Sequence, residues 1–129
     1  MHKMLVLSVA FLALYLAPGR DASADIPAEL QVELQSVMLN YMDQIAPDGA
    51  YRYVDTETNT LRTVYPANIH PFVIQAGDDY FVCAELIDED GNNLTADFLV
   101  REIEGAFRVV QLVIGDRAAI QAIMANIRQ

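Results

Sequence analysis

The period of the hydrophobic positions changes twice along this chain. Leu30, Leu34, Val37, Met38, Tyr41, Met42 and Ile45 follow one another at steps of four, three and one, which gathers them on one side of an α-helix. Pro27 suits the first turn of that helix, where a missing N–H breaks no hydrogen bond, and Pro47-Asp48-Gly49 ends it. From Ala50 the period is two. The spacing predicts strands near 50–55, 60–65, 71–76, 80–88, 94–103 and 107–114, parted by the polar turns DTETNT, AGDD, DEDGNN and EGA. Gly77, Gly91 and Gly105 stand 14 residues apart, about one strand plus one turn, as an antiparallel meander requires. Helical spacing returns in Ile120, Ile123, Met124 and Ile127, with Asp116 placed as N-cap. The chain reads as α+β: one long helix packed on an antiparallel β-meander of about five to six strands, then a short C-terminal helix.

The last two strands predict which side of the sheet is buried. Ala96, Phe98 and Val100 alternate with Asp97, Leu99 and Arg101, and Val110, Leu112 and Ile114 alternate with Val109, Gln111 and Val113. The first helix is expected on the apolar side. The opposite, mixed side still carries Leu99, Phe107, Val109 and Val113, more apolar area than a solvated face needs. These four are the candidate binding residues, open to the C-terminal helix, a small apolar ligand, a protein partner, or a second copy in a homodimer.

Ahead of this domain the chain begins with His2 and Lys3, runs apolar from Met4 to Ala17, and turns polar up to Ala22-Ser23-Ala24. That order predicts a secretory signal peptide over residues 1–24 with cleavage after Ala24, and a single domain over 25–129. The apolar run is shorter than the roughly 20 residues of a membrane-spanning helix. The expected product is exported, periplasmic or secreted, with no stable membrane anchor. It would carry six arginines against 17 acidic residues, a formal charge of −11, which opposes binding to nucleic acid or anionic membranes. Cys83 is the only cysteine, so no internal disulfide is available. Its YFVCAEL setting reads as a buried, unreactive thiol in a strand.

Subtraction narrows the chemistry further. Beyond Ala24 there is no lysine or tryptophan, one serine (Ser36), one histidine (His70) and one cysteine. Schiff-base and P-loop lysine chemistry are excluded, and Ser36 within the first helix does not fit a serine triad. One cysteine and one histidine do not make a zinc site unless carboxylates or a second chain complete it. The DEDGNN turn fails the calcium-loop pattern, since Gly91 at the sixth position puts Leu86 at the first. No metal and no cofactor is called for. The sequon Asn93-Leu94-Thr95 matters only in a eukaryotic secretory pathway.

His70 lies in YPANIHPFVIQAG, followed by Pro71, which favours a strand entrance or edge. If Gly77-Asp78 is a two-residue turn, His70 faces Glu85 and Phe72 faces Cys83; a three-residue turn sends His70 to the other side, opposite Leu86. Both registers remain open from sequence. His70 and Glu85 are therefore the candidate acid/base pair. The other carboxylates, Asp78, Asp79, Glu102 and Glu104, read as surface charge, and Tyr51, Tyr53, Tyr65 and Tyr80 as sheet residues or pocket lining.

A long N-terminal helix followed by an antiparallel meander resembles the cystatin-like and nuclear-transport-factor-like α+β folds, in which a curved sheet wraps a helix. The segments YPANIHP, GDDYFVCAEL and ADFLVREIEGAFRVVQLVIGDR also resemble small exported bacterial proteins of no assigned function. Gln111-Leu112-Val113-Ile114-Gly115 fits the Q-x-V-x-G motif of cystatins. That family carries the motif in an early hairpin loop, whereas here it ends the last strand, and the accompanying tryptophan loop is absent. Ketosteroid-isomerase-like enzymes use a related cone-shaped fold, but none of their site residues maps onto a motif here.

Two functions are expected from these residues. The first is a non-enzymatic, exported binding or interaction module using the mixed face of its sheet. The alternative is a small isomerase- or hydrolase-type enzyme with His70 and Glu85 as acid and base, which requires a cavity holding both groups.

Overall fold

The computed structural model describes residues 26–127, so the expected leader and its cleavage site at Ala24 lie outside the described residues. Helix α1 (Ala28–Ile45) precedes strands β1 (Tyr51–Asp55), β2 (Thr60–Ala76), β3 (Asp79–Asp88), β4 (Asn93–Ile103) and β5 (Ala106–Ile114), and helix α2 (Arg117–Ile127) follows. The five strands form one sheet in the order of the chain, every neighbouring pair antiparallel. The fold is α+β, with the sheet lying between the two helices. Among the described residues no helix is long and apolar enough to cross a membrane.

The face of α1 predicted from its periodicity is the one that packs. Leu34, Met38 and Met42 are buried against Val64, Val82, Ala84, Leu86, Phe98 and Val100 of the sheet. Each fully buried side chain of this kind is worth roughly 1.5–3 kcal/mol of transfer free energy. Tyr41 meets Phe98 edge-on, with ring centroids 6.1 Å apart. Pro27 is the N-cap and offers no side-chain acceptor; the helix instead ties its entrance through Gln31 Nε2, which donates to the Ile26 carbonyl at 2.9 Å. α2 is capped as its sequence predicts, with the Ala119 N–H donating to Asp116 Oδ1 at 3.1 Å.

The turns follow their residues. Ala76 pairs with Asp79 across Gly77-Asp78, and Ile103 pairs with Ala106 across Glu104-Gly105. Both central residues of the second turn have positive φ, 52° and 81°, which is the demand of a type I′ hairpin. The DEDGNN turn is built on Asp88, whose carboxylate accepts the N–H groups of Asp90 and Asn92 at 2.9 and 2.8 Å. Arg62 Nη2 donates to the same carboxylate at 3.0 Å.

Three irregularities depart from a strict alternation. The segments expected as separate strands at 60–65 and 71–76 are one long strand, β2, because its backbone stays paired to β3 through two register shifts. The first shift leaves Ala67 unmatched, and the second sets His70, Pro71 and Phe72 against the single residue Cys83. Pro71 has no N–H to give a ladder, which accounts for a bulge at this point. The third irregularity is in β5, where Leu99 pairs with Gln111 but Val100 pairs with Val109, leaving Val110 out of the ladder.

That last bulge overturns the expected face of three residues, and the first of them, Val110, expected beside Leu112 and Ile114, is left exposed. Leu112 and Ile114 do lie with Ala96, Phe98 and Val100 on the side of α1, and so do Phe107 and Val109, because one extra residue reverses the alternation. Tyr80 and Phe107 meet edge-on at 6.0 Å within this core. Leu99 and Val113 lie on the other side, packed with Phe81 against Ile120 and Met124 of α2. The four residues expected to share a mixed face are thus divided between the two helices.

Candidate functional site

His70 and Glu85 do meet. His70 Nε2 lies 3.4 Å from Glu85 Oε1, and Asn68 Nδ2 donates to Glu85 Oε2 at 3.3 Å. The two-residue turn is present, since residues from Val73 to Ala76 pair in that register with Asp79 to Val82, but the bulge at His70 to Phe72 ends the register before His70. Beyond the bulge the backbone partner of Glu85 is Asn68, so the histidine reaches the carboxylate from an irregular stretch. Hydrogen bonds from Asn68 and then from His70 hold the Glu85 carboxyl below its ordinary value. The side chains are 30% and 40% exposed, and neither lines the hollows described below. Chemically this is a histidine–carboxylate contact on an open strand surface, whose carboxylate is kept ionised.

Cys83 is buried, as its setting predicts, and belongs to a polar cluster under the start of α2. Its thiol donates to Asp97 Oδ1 at 2.9 Å, and Arg117 Nη1 donates to the same oxygen. Asp97 is 0% exposed, and its Oδ2 has no hydrogen-bond partner among the described residues. Burial first, then the hydrogen bond to Asp97 and its charge, push the Cys83 thiol up to about 12, against the opposing pull of Arg117. A thiol of that kind is not a nucleophile near neutral pH. The cluster fastens α2 to the sheet.

Two hollows occur at the side of the sheet that holds α1. One is a purely apolar crevice at the end of α1, bounded by Met42, Tyr51, Pro66 and Phe98, with about 10 Å³ of free volume, room for a single water. The other is an open groove of about 730 Å³, within the size range of ligand sites. Its lining contains two unbroken runs, Tyr53 to Thr58 from β1 and its turn, and Gln111 to Asp116 from the end of β5. Side chains of a strand alternate between faces, so a hollow on one face is lined by every second residue. Consecutive residues line a hollow that lies along a strand's edge. The groove is bordered by β1 with its turn and by the end of β5, the first and last strands in the order of the sheet.

The floor of the groove is mixed. Leu94, Leu112 and Ile114 supply apolar surface, and Tyr51 and Tyr53 stand nearly parallel with centroids 6.3 Å apart. Burial raises the phenol pKa of both tyrosines, which stay neutral. Asp55, Glu57 and Asp116 bring negative charge, and Arg62 is the one cation of the lining. It is already engaged, with Asp88 at 3.0 Å, Asp90 at 3.8 Å and Asp55 at 4.0 Å. At Asp55 burial acts upward on the carboxyl, and hydrogen bonds from Thr58 and Glu57 together with Arg62 outweigh it, leaving the group below its ordinary value.

Of the residues singled out in the sequence, His70 and Glu85 come together, Leu99 and Val113 lie beneath α2, and Phe107 and Val109 lie beside α1. Val113 also borders the groove. The groove itself went unseen in the sequence, because no local pattern reports which distant strands border one space. Among the described residues no cluster of three or more histidine, cysteine or acidic side chains has the geometry of a metal site. Comparison of the chain with family models, with curated proteins and with solved structures returned no match.

Proposed function

We propose that this protein is a non-enzymatic binding module whose ligand lodges in the groove between β1 and β5. The observation that carries the reading is the pair of consecutive runs, residues 53–58 and 111–116, facing one space of about 730 Å³. A hollow of that size is within the range of ligand sites, and its mixed lining offers apolar surface at Leu94, Leu112 and Ile114 beside charged and hydroxyl groups. The groove replaces the mixed face as the binding surface, since α2 and α1 already take up the apolar residues on which the mixed face rested. The half-exposed His70–Glu85 pair lines neither of these two hollows, so the groove, rather than that pair, carries the reading.

Two further parts of the proposal rest on the sequence. The order of a long helix and a curling meander resembles cystatin-like and nuclear-transport-factor-like folds, which supports a role in binding at the mouth of the curved sheet. The basic, apolar and small-residue order of residues 1–24 supports export to the periplasm or beyond.

Chemical-shift mapping of isotope-labelled protein against a library of neutral and cationic small molecules and short peptides tests the groove directly. Binders are expected to move the amides of both runs, 53–58 and 111–116, together. Binders that instead move residues around His70 and Glu85 and leave both runs still would overturn the proposal.

A further inference from the structure

Resting on that reading of the groove, we infer that its occupant is a short, extended, positively charged peptide that enters as an added strand and pairs with β1 on one side and β5 on the other. β1 is hydrogen-bonded to β2 only and β5 to β4 only, so each has an outward row of N–H and C=O groups without a strand partner among the described residues. Edges of this kind are templates for another strand. Consecutive residues of both strands border the same groove.

The direction of the strands suits a single guest. β1 and β5 are both odd members of an antiparallel meander and run the same way, so one inserted strand is antiparallel to both. β1 has five residues, a length of about 17 Å at about 3.4 Å each, which sets the paired part of the guest at about five residues. Alternate guest side chains would face Tyr51, Tyr53, Leu112 and Ile114 on the side of α1, and the others would face outward. Apolar residues fit the first set.

Charge selects the second set. Asp55, Glu57 and Asp116 stand on the walls, and the single arginine of the lining is held by three carboxylates of its own. The chain as a whole has a formal charge of −10. Lysine or arginine at the outward positions of the guest complements this field, and a second copy of the same acidic chain does not.

The test uses a seven-residue peptide of alternating arginine and valine, its glutamate counterpart, and two N-methylated forms, one blocking the N–H groups of the odd residues and one those of the even residues. Successive N–H groups of a strand point to opposite sides, so each form silences one wall. The arginine peptide is expected to shift and protect the amides of β1 and β5, and to bind more weakly as salt rises. Both methylated forms should lose tenfold or more, from two or three hydrogen bonds each. Glu57→Lys should weaken binding by about two- to fivefold, the size of a partly exposed charge contact. Equal binding of the glutamate peptide, insensitivity to methylation of either parity, or self-association of the protein through these edges would each overturn the inference. If small molecules move both runs while no peptide does, the added strand is wrong and the groove stands; if neither moves them, both are wrong.

Discussion

Replacing Arg117 by alanine should destabilise the protein through its buried partner, Asp97. Asp97 is buried completely, and the Arg117 guanidinium supplies the positive charge that faces it, so the substitution strands a carboxylate away from water. Breaking a fully buried pair in this way costs about 3–5 kcal/mol. The Arg117 side chain is 40% exposed, and solvent already screens part of the interaction. Halving the buried figure on that ground gives about 2 kcal/mol, a factor of about thirty in the folded-to-unfolded ratio. Urea unfolding followed by circular dichroism measures it, with Asp97→Asn and the double variant completing a cycle. Asp97→Asn alone should cost about 1–3 kcal/mol, since the amide places donors where Oδ2 has no partner. With the charge gone, Arg117→Ala should then cost less than about 1 kcal/mol. A cost below about 0.5 kcal/mol for Arg117→Ala, or the same cost in both backgrounds, would refute the view that this pair fastens α2.

Three other outcomes follow from the same structure. Deleting Val110 removes the β5 bulge and sends Phe107 and Val109 away from the α1 core, so the variant should fail to fold cooperatively, whereas Val110→Thr should unfold within about 1 kcal/mol of the parent. The Asp88 carboxyl is held below its ordinary 3.8, chiefly by the Asn92 N–H, against the upward effect of burial and with help from the Asn92 side chain, Asp90 and Arg62. A carboxyl lowered in the folded state contributes stability above pH 3.8 that is lost as the pH falls through the folded-state value; Asp88→Asn should flatten the acid limb of a stability-against-pH curve there. The Cys83 thiol, pushed up to about 12, should react with a disulfide reagent at pH 8 only as fast as the protein opens, so mild urea should accelerate labelling in step with unfolding.

Local periodicity was enough to read α1, the buried Leu34, Met38 and Met42, the Asp116 cap of α2, and the glycine-marked turns, because each depends on neighbours within a few residues. It singled out His70 and Glu85 and the two-residue turn at Gly77-Asp78, but the bulge at His70 to Phe72 breaks that register before it reaches them, and the two side chains meet from an irregular stretch. The bulges at Ala67 and at Val110 left no such trace, and at His70 to Phe72 only Pro71 marked an irregular place. A single extra residue reverses which way every later side chain points, and whether it is accommodated depends on what the partner strand and the core require.

Composition by itself determined the chemistry open to the domain: past residue 24 it contains no lysine, and a lone cysteine stands beside a lone histidine in an acidic chain. Tertiary structure decided where those groups lie. It set Asp97 and Arg117 around Cys83 from residues 14 and 34 positions away, and divided Leu99 and Val113 from Phe107 and Val109. It also brought β1 and β5, the ends of the sheet order, to the two walls of one groove. The pattern of a strand specifies its faces, while which strands come to border one space is a property of the whole sheet, summed over every strand's twist and bulge.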